Sequence, residues 1–379
     1  MRILVFNWRS FLSRGAGGAE THCYEIFNRL AEGGHFVRLV ASCDDATKPK
    51  ETFFGKVKIF HVCKSEFFYP FFSIFCLSNF PFNSYDVIVE DVSKFPLFWP
   101  LVISKVLGKP FVIIVHHVHG KTLFEELPFP LNALSFFIEF FGLKFYSLFN
   151  LRVVTVSEST KRELVSLGFR VENVSVIPNG LNFSPVKFSV KKKSVFPIVV
   201  YFGRVKRYKR IDHLIQAVKI ASAKIGKLKL IVAGKGDAEV YMELRSLAHQ
   251  LGLEVVEFYG EVDEKVRDEL FQKAWVYAIA SMKEGFGISV LEAQSFGLPV
   301  VAYAVPGILD SVVHMKSGIL VRDGDVQAFA EALTRICSDE ALREKLSKGA
   351  IENAEKYDWN KSANDFLEML ETCFPRNND

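Results

Sequence analysis

The sequence predicts an α/β protein with two doubly wound domains, each built on a parallel β-sheet that helices cover on both faces. Short, continuously apolar, β-rich runs alternate with helical patterns throughout the 379 residues. Continuous apolar runs are typical of strands buried on both faces of a parallel sheet. The alternation stops once, at a polar, lysine-rich stretch over residues 183–195, and then restarts. We therefore predict two domains joined by a linker.

The apolar runs give the predicted strands in order. In the first domain they occupy residues 3–6, 37–41, 57–60, 87–89, 111–115 and 153–156. In the second domain they occupy residues 198–202, 228–233, 255–259, 276–279 and 300–303. Helical patterns at 20–32 and 159–167 lie between strands, and a last one covers 360–373. Ligands of such sheets bind at the carboxyl ends of the strands.

Composition excludes several classes of protein. Hydrophobic residues make up 49% and charged residues 24%, which indicates a globular chain with a sizeable core and excludes a collagen, a coiled coil and a disordered tail. A net charge of +4 is too small to indicate a nucleic-acid partner. Phenylalanine is in excess, with 25 of its 37 copies in residues 1–150.

The cysteines and the apolar segments indicate the cellular compartment of the protein. The six cysteines lack CxxC spacing, which predicts free thiols in a reducing compartment. The chain enters its first strand directly, so we expect no signal peptide. Residues 67–82 are too short to span a bilayer, and residues 131–151 carry Glu139 and Lys144 at their middle. We expect a cytoplasmic protein without a membrane span.

Two motifs follow strands of the first domain. The loop SRGAGGAE (13–20) indicates either an anion-binding turn or a plain tight turn, because Glu20 stands where a dinucleotide fingerprint needs glycine. The sequence VHHVHG (115–120) places His117 and His119 on one face and His116 on the other. These histidines indicate one residue acting on a substrate, a metal site, or structural histidines.

Two further motifs follow strands of the second domain. In YFGRVKRYKR (201–210), five cations come after Gly203, which favours phosphate or diphosphate binding over a solvated basic face. In KEGFGISVLEAQSFGLPVV (283–301), Glu284 lies in a glycine loop and Glu292 lies in the helix that follows. Free N–H groups and acceptor-only carboxylates suit a ligand rich in phosphate and hydroxyl groups.

The acidic pair of RDGDV (322–326) could suggest a metal-bound diphosphate. We interpret Asp325 instead as the N-cap of a helix, since it stands directly before a helical pattern. No metal ligand set is therefore predicted here.

Taken together, these motifs resemble the retaining glycosyltransferases of family 4, which have the GT-B fold of two Rossmann-like domains facing a central cleft. The resemblance covers nearly the whole chain. It rests on the order and spacing of GAGGAE, PFVIIVHHVHG, VVTVSESTKRELVSLG, VIPNG, YFGRVKRYKRIDHLIQA, LIVAGKGD, VEFYGEV, EGFGISVLEAQSFGLPVVA and SGILVRDGD. It implies an acceptor domain over 1–182, a linker over 183–195, a nucleotide-sugar donor domain over 196–358, and a final helix over 359–379 that packs on the first domain.

The resemblance also implies a role for individual residues. Glu284 would contact hydroxyls of the donor sugar, Glu292 the ribose, and His116 the reacting sugar. Arg204 and Lys209 would hold the diphosphate. The other implied donor contacts are Gly17, Gly18, Gly203, Tyr259, Val262 and the backbone around Phe286, Gly287 and Ile288. Two features depart from the common pattern: Arg210 replaces a frequent glycine, and His117 and His119 are additional histidines.

The implied activity is transfer of a hexose from a UDP- or GDP-sugar to a hydroxyl acceptor with retention, without a metal or other cofactor. Two alternatives remain open: a nucleotide-sugar epimerase or phosphorylase of the same fold, and a non-catalytic nucleotide-sugar-binding subunit. The phenylalanines at 67–82 and 127–149 either belong to an aromatic core or form an exposed patch that contacts a membrane. The second interpretation predicts a lipid-linked acceptor and peripheral binding at the inner face of the cell membrane.

Overall fold

A computed structural model describes residues 1–45, 47–75, 80–182 and 193–374. Most of the predicted linker, Cys76 and the last five residues of the predicted 359–379 segment lie outside these ranges. Backbone contacts divide the chain into two compact units. The first comprises Met1–Gly120, Ala133–Gly180 and Asp358–Asp379, and the second comprises Lys121–Asn132 and Leu181–Tyr357.

The first unit contains an eight-stranded sheet in the order β3-β4-β2-β1-β5-β6-β7-β8. All neighbours are parallel except β3 and β4, which pair antiparallel at one edge. The strands are β1 (Arg2–Arg9), β2 (Phe36–Ser42), β3 (Glu51–Phe54), β4 (Val57–His61), β5 (Val87–Asp91), β6 (Phe111–Val115), β7 (Arg152–Thr155) and β8 (Val174–Val176). The helices up to residue 180 are α1 (Gly18–Glu32), α2 (Tyr69–Phe75), α3 (Trp99–Leu107), α4 (Leu123–Glu126), α5 (Leu131–Ser147) and α6 (Glu158–Ser166).

The second unit contains a six-stranded, fully parallel sheet in the order β11-β10-β9-β12-β13-β14. Its strands are β9 (Ile198–Phe202), β10 (Lys229–Ala233), β11 (Val256–Gly260), β12 (Val276–Ile279), β13 (Val300–Tyr303) and β14 (Gly318–Val321). Its helices are α7 (Ile211–Ile225), α8 (Ala238–Gln250), α9 (Glu264–Lys273), α10 (Ile288–Ser295), α11 (Ile308–Ser311), α12 (Val326–Ser338) and α13 (Glu340–Ala354). The last helix, α14 (Trp359–Glu371), belongs to the first unit, where it packs on α1.

The central strands are largely apolar and buried because helices cover both faces of each sheet. All five residues of β5 and of β6 are buried, including the carboxylates Glu90 and Asp91 of β5. The prediction of two parallel, helix-covered sheets is therefore confirmed. Among the described residues, no helix combines the length and the apolar character needed to cross a membrane.

One short segment groups differently from the sequence-based boundaries. Residues Lys121–Asn132 were assigned to the first domain, but their contacts place them in the second unit. The reason is local packing: α4 lies against the turn Arg207–Lys209 in the basic loop.

Candidate functional site

Glycines end three neighbouring strands of the second unit. Gly203, Gly234 and Gly260 follow or close β9, β10 and β11, and the Gly234 N–H donates to the Gly260 carbonyl over 2.6 Å. At Gly234, where φ is +140°, an added Cβ would lie 1.8 Å from the carbonyl oxygen of Gly203. Only glycine permits this approach, by which the chain segments that leave β9 and β10 pack directly against each other at the carboxyl edge of the sheet.

Lys209 and Glu284 form a buried ion pair beside this edge. The Nζ atom of Lys209 lies 2.5 Å from Oε1 of Glu284, and the Ser281 hydroxyl donates to the same oxygen over 2.6 Å. Their side chains are only 10% and 12% exposed. Burial alone would lower the pKa of Lys209, but attraction to the Glu284 carboxylate outweighs it, so the pKa lies above its ordinary value. A fixed cation and a fixed carboxylate thus share one location.

The other cations of the basic loop are distributed over separate partners. Arg204 is exposed, and its carbonyl accepts a hydrogen bond from the buried Tyr201 hydroxyl. The remaining three cations pair with acidic residues outside the loop, namely Lys206 with Asp237, Arg207 with Glu239 and Glu243, and Arg210 with Asp323. The loop is therefore largely neutralised by the protein, with Lys209 the buried member.

Gly307 packs closely against the loop that precedes α10. The Glu284 N–H donates to the Pro306 carbonyl over 3.1 Å, and a Cβ at Gly307 would lie 2.2 Å from the Glu284 carbonyl oxygen. Gly307 has a φ of +82°. Gly307 was not predicted as a site residue, because its only sequence signal is a proline–glycine turn after β13.

The helix α10 starts beside the ion pair. Gly287, with φ +88°, is its N-cap residue, and the buried Phe286 packs edge-on against Tyr357. Ser289, in the first turn, accepts a hydrogen bond from the buried Tyr277 hydroxyl of β12. A helix start without a side-chain cap offers N–H groups to an anion. The contacts of Phe286, Gly287 and Ile288 with a donor, which the resemblance implies, stay a prediction.

Glu292 lies on α10 and pairs with Arg267 of α9, whose Nη1 atom is 2.8 Å from Oε1. Arg267 is 6% exposed, and burial alone would lower its pKa, but Glu292 and Asp268 together raise the pKa above the ordinary value. Arg267 was missed by the sequence analysis, since a single arginine in a helix has no motif. Nearby in the chain, Tyr259 is 45% exposed at the end of β11, and Val262 packs against the core.

In the first unit, His116 follows β6 and contacts Asp91 at the end of the adjacent β5. The Nε2 atom of His116 lies 3.0 and 3.1 Å from the two carboxylate oxygens, and the Asn7 amide donates to Asp91 over 3.1 Å. Burial alone would lower the pKa of His116, but Asp91 outweighs it and raises the pKa. The neighbouring His22, 5.1 Å away between ring centroids, is buried without such a carboxylate, and its pKa falls to about 3.

The raised pKa of His116 predicts a pH-dependent effect of Asp91→Asn. Because the pKa of His116 is raised, its pairing with Asp91 stabilises the fold fully below about pH 6.5 and less as the pH rises through the raised value. We expect Asp91→Asn to lower the free energy of unfolding by about 2 kcal/mol at pH 6 and by less at pH 9. Denaturant unfolding at both pH values measures this. An equal loss of stability at pH 6 and pH 9 would contradict the pairing.

The two additional histidines lie together, with ring centroids 4.3 Å apart, as their spacing predicted. Glu139 of α5 accepts from the N–H groups of His119 and Gly120 at 2.6 and 2.8 Å and contacts His119 Nδ1 at 2.9 Å. The carboxylate of Glu139, in the middle of α5, therefore holds the loop that carries His119 in place. In the described ranges, no three or more histidine, cysteine or acidic residues are grouped so as to hold a metal ion.

The glycine-rich loop forms the start of α1. Gly17 is the N-cap residue, Gly18 begins the helix, and the Gly17 N–H donates to the Glu20 carboxylate over 2.7 Å. Glu20, which breaks the dinucleotide fingerprint, thus forms part of the cap. In the second unit, Asp325 accepts from the Ala328 N–H over 2.8 Å, which confirms its interpretation as an N-cap.

Comparisons with known proteins agree with this arrangement. A family model described as glycosyltransferase family 4 matches residues 16–184, and one described as glycosyl transferases group 1 matches residues 183–353. An uncharacterized glycosyltransferase of Methanocaldococcus jannaschii is 27% identical, and the alignment covers 97% of both proteins.

Solved structures show the same fold at low identity. Sucrose-phosphate synthase from Thermosynechococcus elongatus superimposes with a TM-score of 0.79 at 20% identity and covers 98% of both chains. Anabaena HepE in complex with UDP and glucose gives a TM-score of 0.75 at 21% identity, covering 98% of this chain and 100% of HepE. The chain therefore belongs to the group 1 and family 4 glycosyltransferases and has the GT-B fold.

Proposed function

We propose that this glycosyltransferase transfers a hexose from a nucleotide diphosphate sugar to a hydroxyl acceptor, with retention at the anomeric carbon. The observation that carries the proposal is the buried Lys209–Glu284 pair beside the start of α10. It combines a cation for a diphosphate with a carboxylate for sugar hydroxyls at the sheet edge where ligands of parallel sheets bind.

The chemistry requires stabilisation of a leaving group. As the glycosidic bond to the nucleotide breaks, negative charge develops on the β-phosphate, and preorganised cations and N–H groups lower the energy of that state. Lys209, Arg204 and the first N–H groups of α10 supply these groups in the proposal. Glu284 accepts two hydrogen bonds from Lys209 and Ser281, which suits a residue that orients hydroxyls rather than one that attacks carbon.

UDP-hexose is the first donor to test, because HepE of similar fold was solved with UDP and glucose. The protein should release UDP from UDP-hexose only when an acceptor alcohol is present. An epimerase would convert the donor without releasing UDP, and a non-catalytic subunit would bind it without turnover. Thermal-shift screening of UDP- and GDP-sugars would select the donor for this assay.

The proposed function also predicts that transfer needs no metal ion, and the same assay tests this. Excess EDTA should change turnover by less than about twofold, since cationic side chains replace a metal at the diphosphate in this proposal. Asp323, the other acidic residue of the 322–326 loop, pairs with Arg210. Loss of turnover with EDTA that manganese or magnesium restores would contradict this prediction.

We infer further that the acceptor is lipid-linked and that the first unit contacts the membrane. Exposed phenylalanines support this, with Phe67 73%, Phe71 63% and Phe141 60% exposed. An apolar groove of about 550 Å³ lies along α5, lined by Phe98, Ile138, Phe141, Gly142, Lys144, Phe145 and Leu148. Exposed aromatic surface of this extent is characteristic of a binding face rather than of a monomer surface. Other phenylalanines, such as Phe80 and Phe82, are buried in the core.

Vesicle flotation tests this contact. Phe67→Ser combined with Phe71→Ser should reduce flotation with anionic vesicles at least about tenfold. Each of the two phenyl groups would contribute about 1.5–3 kcal/mol to binding when the membrane buries it. Phe53→Ser is the matched control, since Phe53 is 65% exposed on the edge strand β3 and should not alter flotation. Equal flotation of all three proteins would contradict the predicted membrane face.

A further inference from the structure

A cluster of two cations and one carboxylate lies in the first unit, apart from His116 and its partners. Arg9 ends β1, Lys94 follows β5, and both contact Glu66 in the turn before α2. Arg9 Nε lies 3.0 Å from Oε2 of Glu66, and Lys94 Nζ lies 2.7 Å from Oε1. The three side chains are 18%, 34% and 36% exposed, so solvent reaches all of them. With one carboxylate facing two cations, the cluster carries a net positive charge.

An exposed aromatic surface begins at the next residue. It consists of Phe67, Phe68, Phe71 and Phe72, which are between 46% and 73% exposed. Phe67 and Phe68 pack edge-on at 5.3 Å, and Phe68 and Phe72 at 6.4 Å. A positively charged cluster therefore adjoins an apolar surface, the combination that binds an anionic headgroup and its hydrocarbon chain.

The cluster also contacts the glycine-rich loop. The Arg9 Nη1 group donates to the Gly15 carbonyl, while its Nε and Nη2 groups contact Glu66. Arg9 and Lys94 follow the carboxyl ends of β1 and β5, and His116 follows the carboxyl end of β6, which pairs with β5. An anion held by Arg9 and Lys94 would thus lie at the same sheet edge as His116.

We propose that Arg9 and Lys94 bind the phosphate of a lipid-linked acceptor embedded in a membrane, with its hydrocarbon chain against the aromatic surface and the accepting hydroxyl on the headgroup beyond the phosphate. This inference rests on the proposed function and names the chemical class of its acceptor. Arginine can bind a phosphate through two N–H groups, and lysine adds a point charge. Glu66 keeps both cations in position before the lipid arrives and then competes with the phosphate for them.

Opposite effects of two substitutions test the proposal. The probes are phosphatidylcholine vesicles containing either a polyprenyl phosphate or the uncharged polyprenol. Wild-type protein should bind the phosphate-containing vesicles about tenfold more tightly, since a hydrogen bond to a charged group has this order of effect. Lys94→Gln should abolish that preference, whereas Glu66→Gln should increase it. A general structural defect would not change the preference in opposite directions.

The control variant is Lys58→Gln, which removes another lysine–glutamate pair of the same unit, between Lys58 and Glu51. It should keep the wild-type preference. Unfolding midpoints of all variants verify that they fold.

Three outcomes would overturn the proposal in distinguishable ways. Equal wild-type binding to both vesicles would refute the phosphate site and leave the apolar contact intact. Binding to neither vesicle would refute the phosphate site and the membrane part of the proposed function. Saturable binding of inorganic phosphate without any vesicle preference would assign the cluster to a water-soluble phosphate. Calorimetry with UDP-glucose reports on the donor site separately, so failure of sugar transfer is not confused with failure of the lipid site.

Discussion

Lys209→Ala should lower kcat/KM for sugar transfer by about 10²–10³, the usual effect of removing one preorganised group that stabilises a leaving group. Lys209 is buried and lies 2.5 Å from Glu284, so its loss also leaves a carboxylate that is 12% exposed without its cation. Both consequences act on the same site. Steady-state kinetics with the selected donor measures the effect, and Arg204→Ala should change it in the same direction.

Lys206→Ala is the matched control for this prediction. Lys206 belongs to the same loop, but it pairs with Asp237, whose side chain is 61% exposed. Exposed ion pairs contribute little, so kcat/KM should stay within about twofold of wild type. Equal losses in Lys206→Ala and Lys209→Ala would mean that the general charge of the loop matters and not the buried pair.

Gly307→Ala should reduce the stability of the second unit and its donor affinity together. An added Cβ would lie 2.2 Å from the carbonyl oxygen of Glu284 at a φ of +82°, so the loop that carries Glu284 must move. We expect a loss of about 3 kcal/mol in the free energy of unfolding, from steric overlap and left-handed strain combined. Calorimetry should show donor binding weakened at least about tenfold.

Gly324→Ala separates the two causes. Gly324 has nearly the same φ, +79°, but no heavy atom lies within 4 Å of an added Cβ. This variant should lose only about 1–2 kcal/mol from backbone strain and bind the donor normally. If both variants bound the donor equally well, the close contact between Gly307 and Glu284 would not position the site.

Much of the fold could be predicted because the buried strands are continuously apolar. The bounds predicted for β6, β9, β12 and β13 agree with the structure. Three strands were missed. The antiparallel edge strand β3 has half-exposed residues and β8 has only three residues, so neither gives the continuous apolar run by which buried strands were recognised. The third, β14, is a four-residue strand at the edge of the second sheet and was noted only as part of the motif SGILVRDGD. Contacts between segments that are distant in the chain, such as those of α4 with the basic loop, have no local sequence pattern from which they could be predicted.

The candidate site could be predicted only where its residues belong to motifs. Glu284 and Lys209 were identified separately, 75 positions apart, but the sequence does not reveal that they pair. Asp91 and Arg267 were missed because each is a single charged residue whose partner lies on a different element. Strand order offers one usable signal: β5 and β6 are neighbours, so the residues that end them, Asp91 and His116, come together.

The anomeric configuration of the transferred sugar tests the central claim most directly. The claim is that the second unit transfers a hexose from a nucleotide sugar with retention, using Lys209 and Glu284. Proton NMR can follow the glucoside formed from UDP-α-glucose and an alcohol acceptor. We expect that the α-anomer forms first and that Lys209→Ala slows its formation. First formation of the β-anomer, or an unchanged rate in Lys209→Ala, would contradict it.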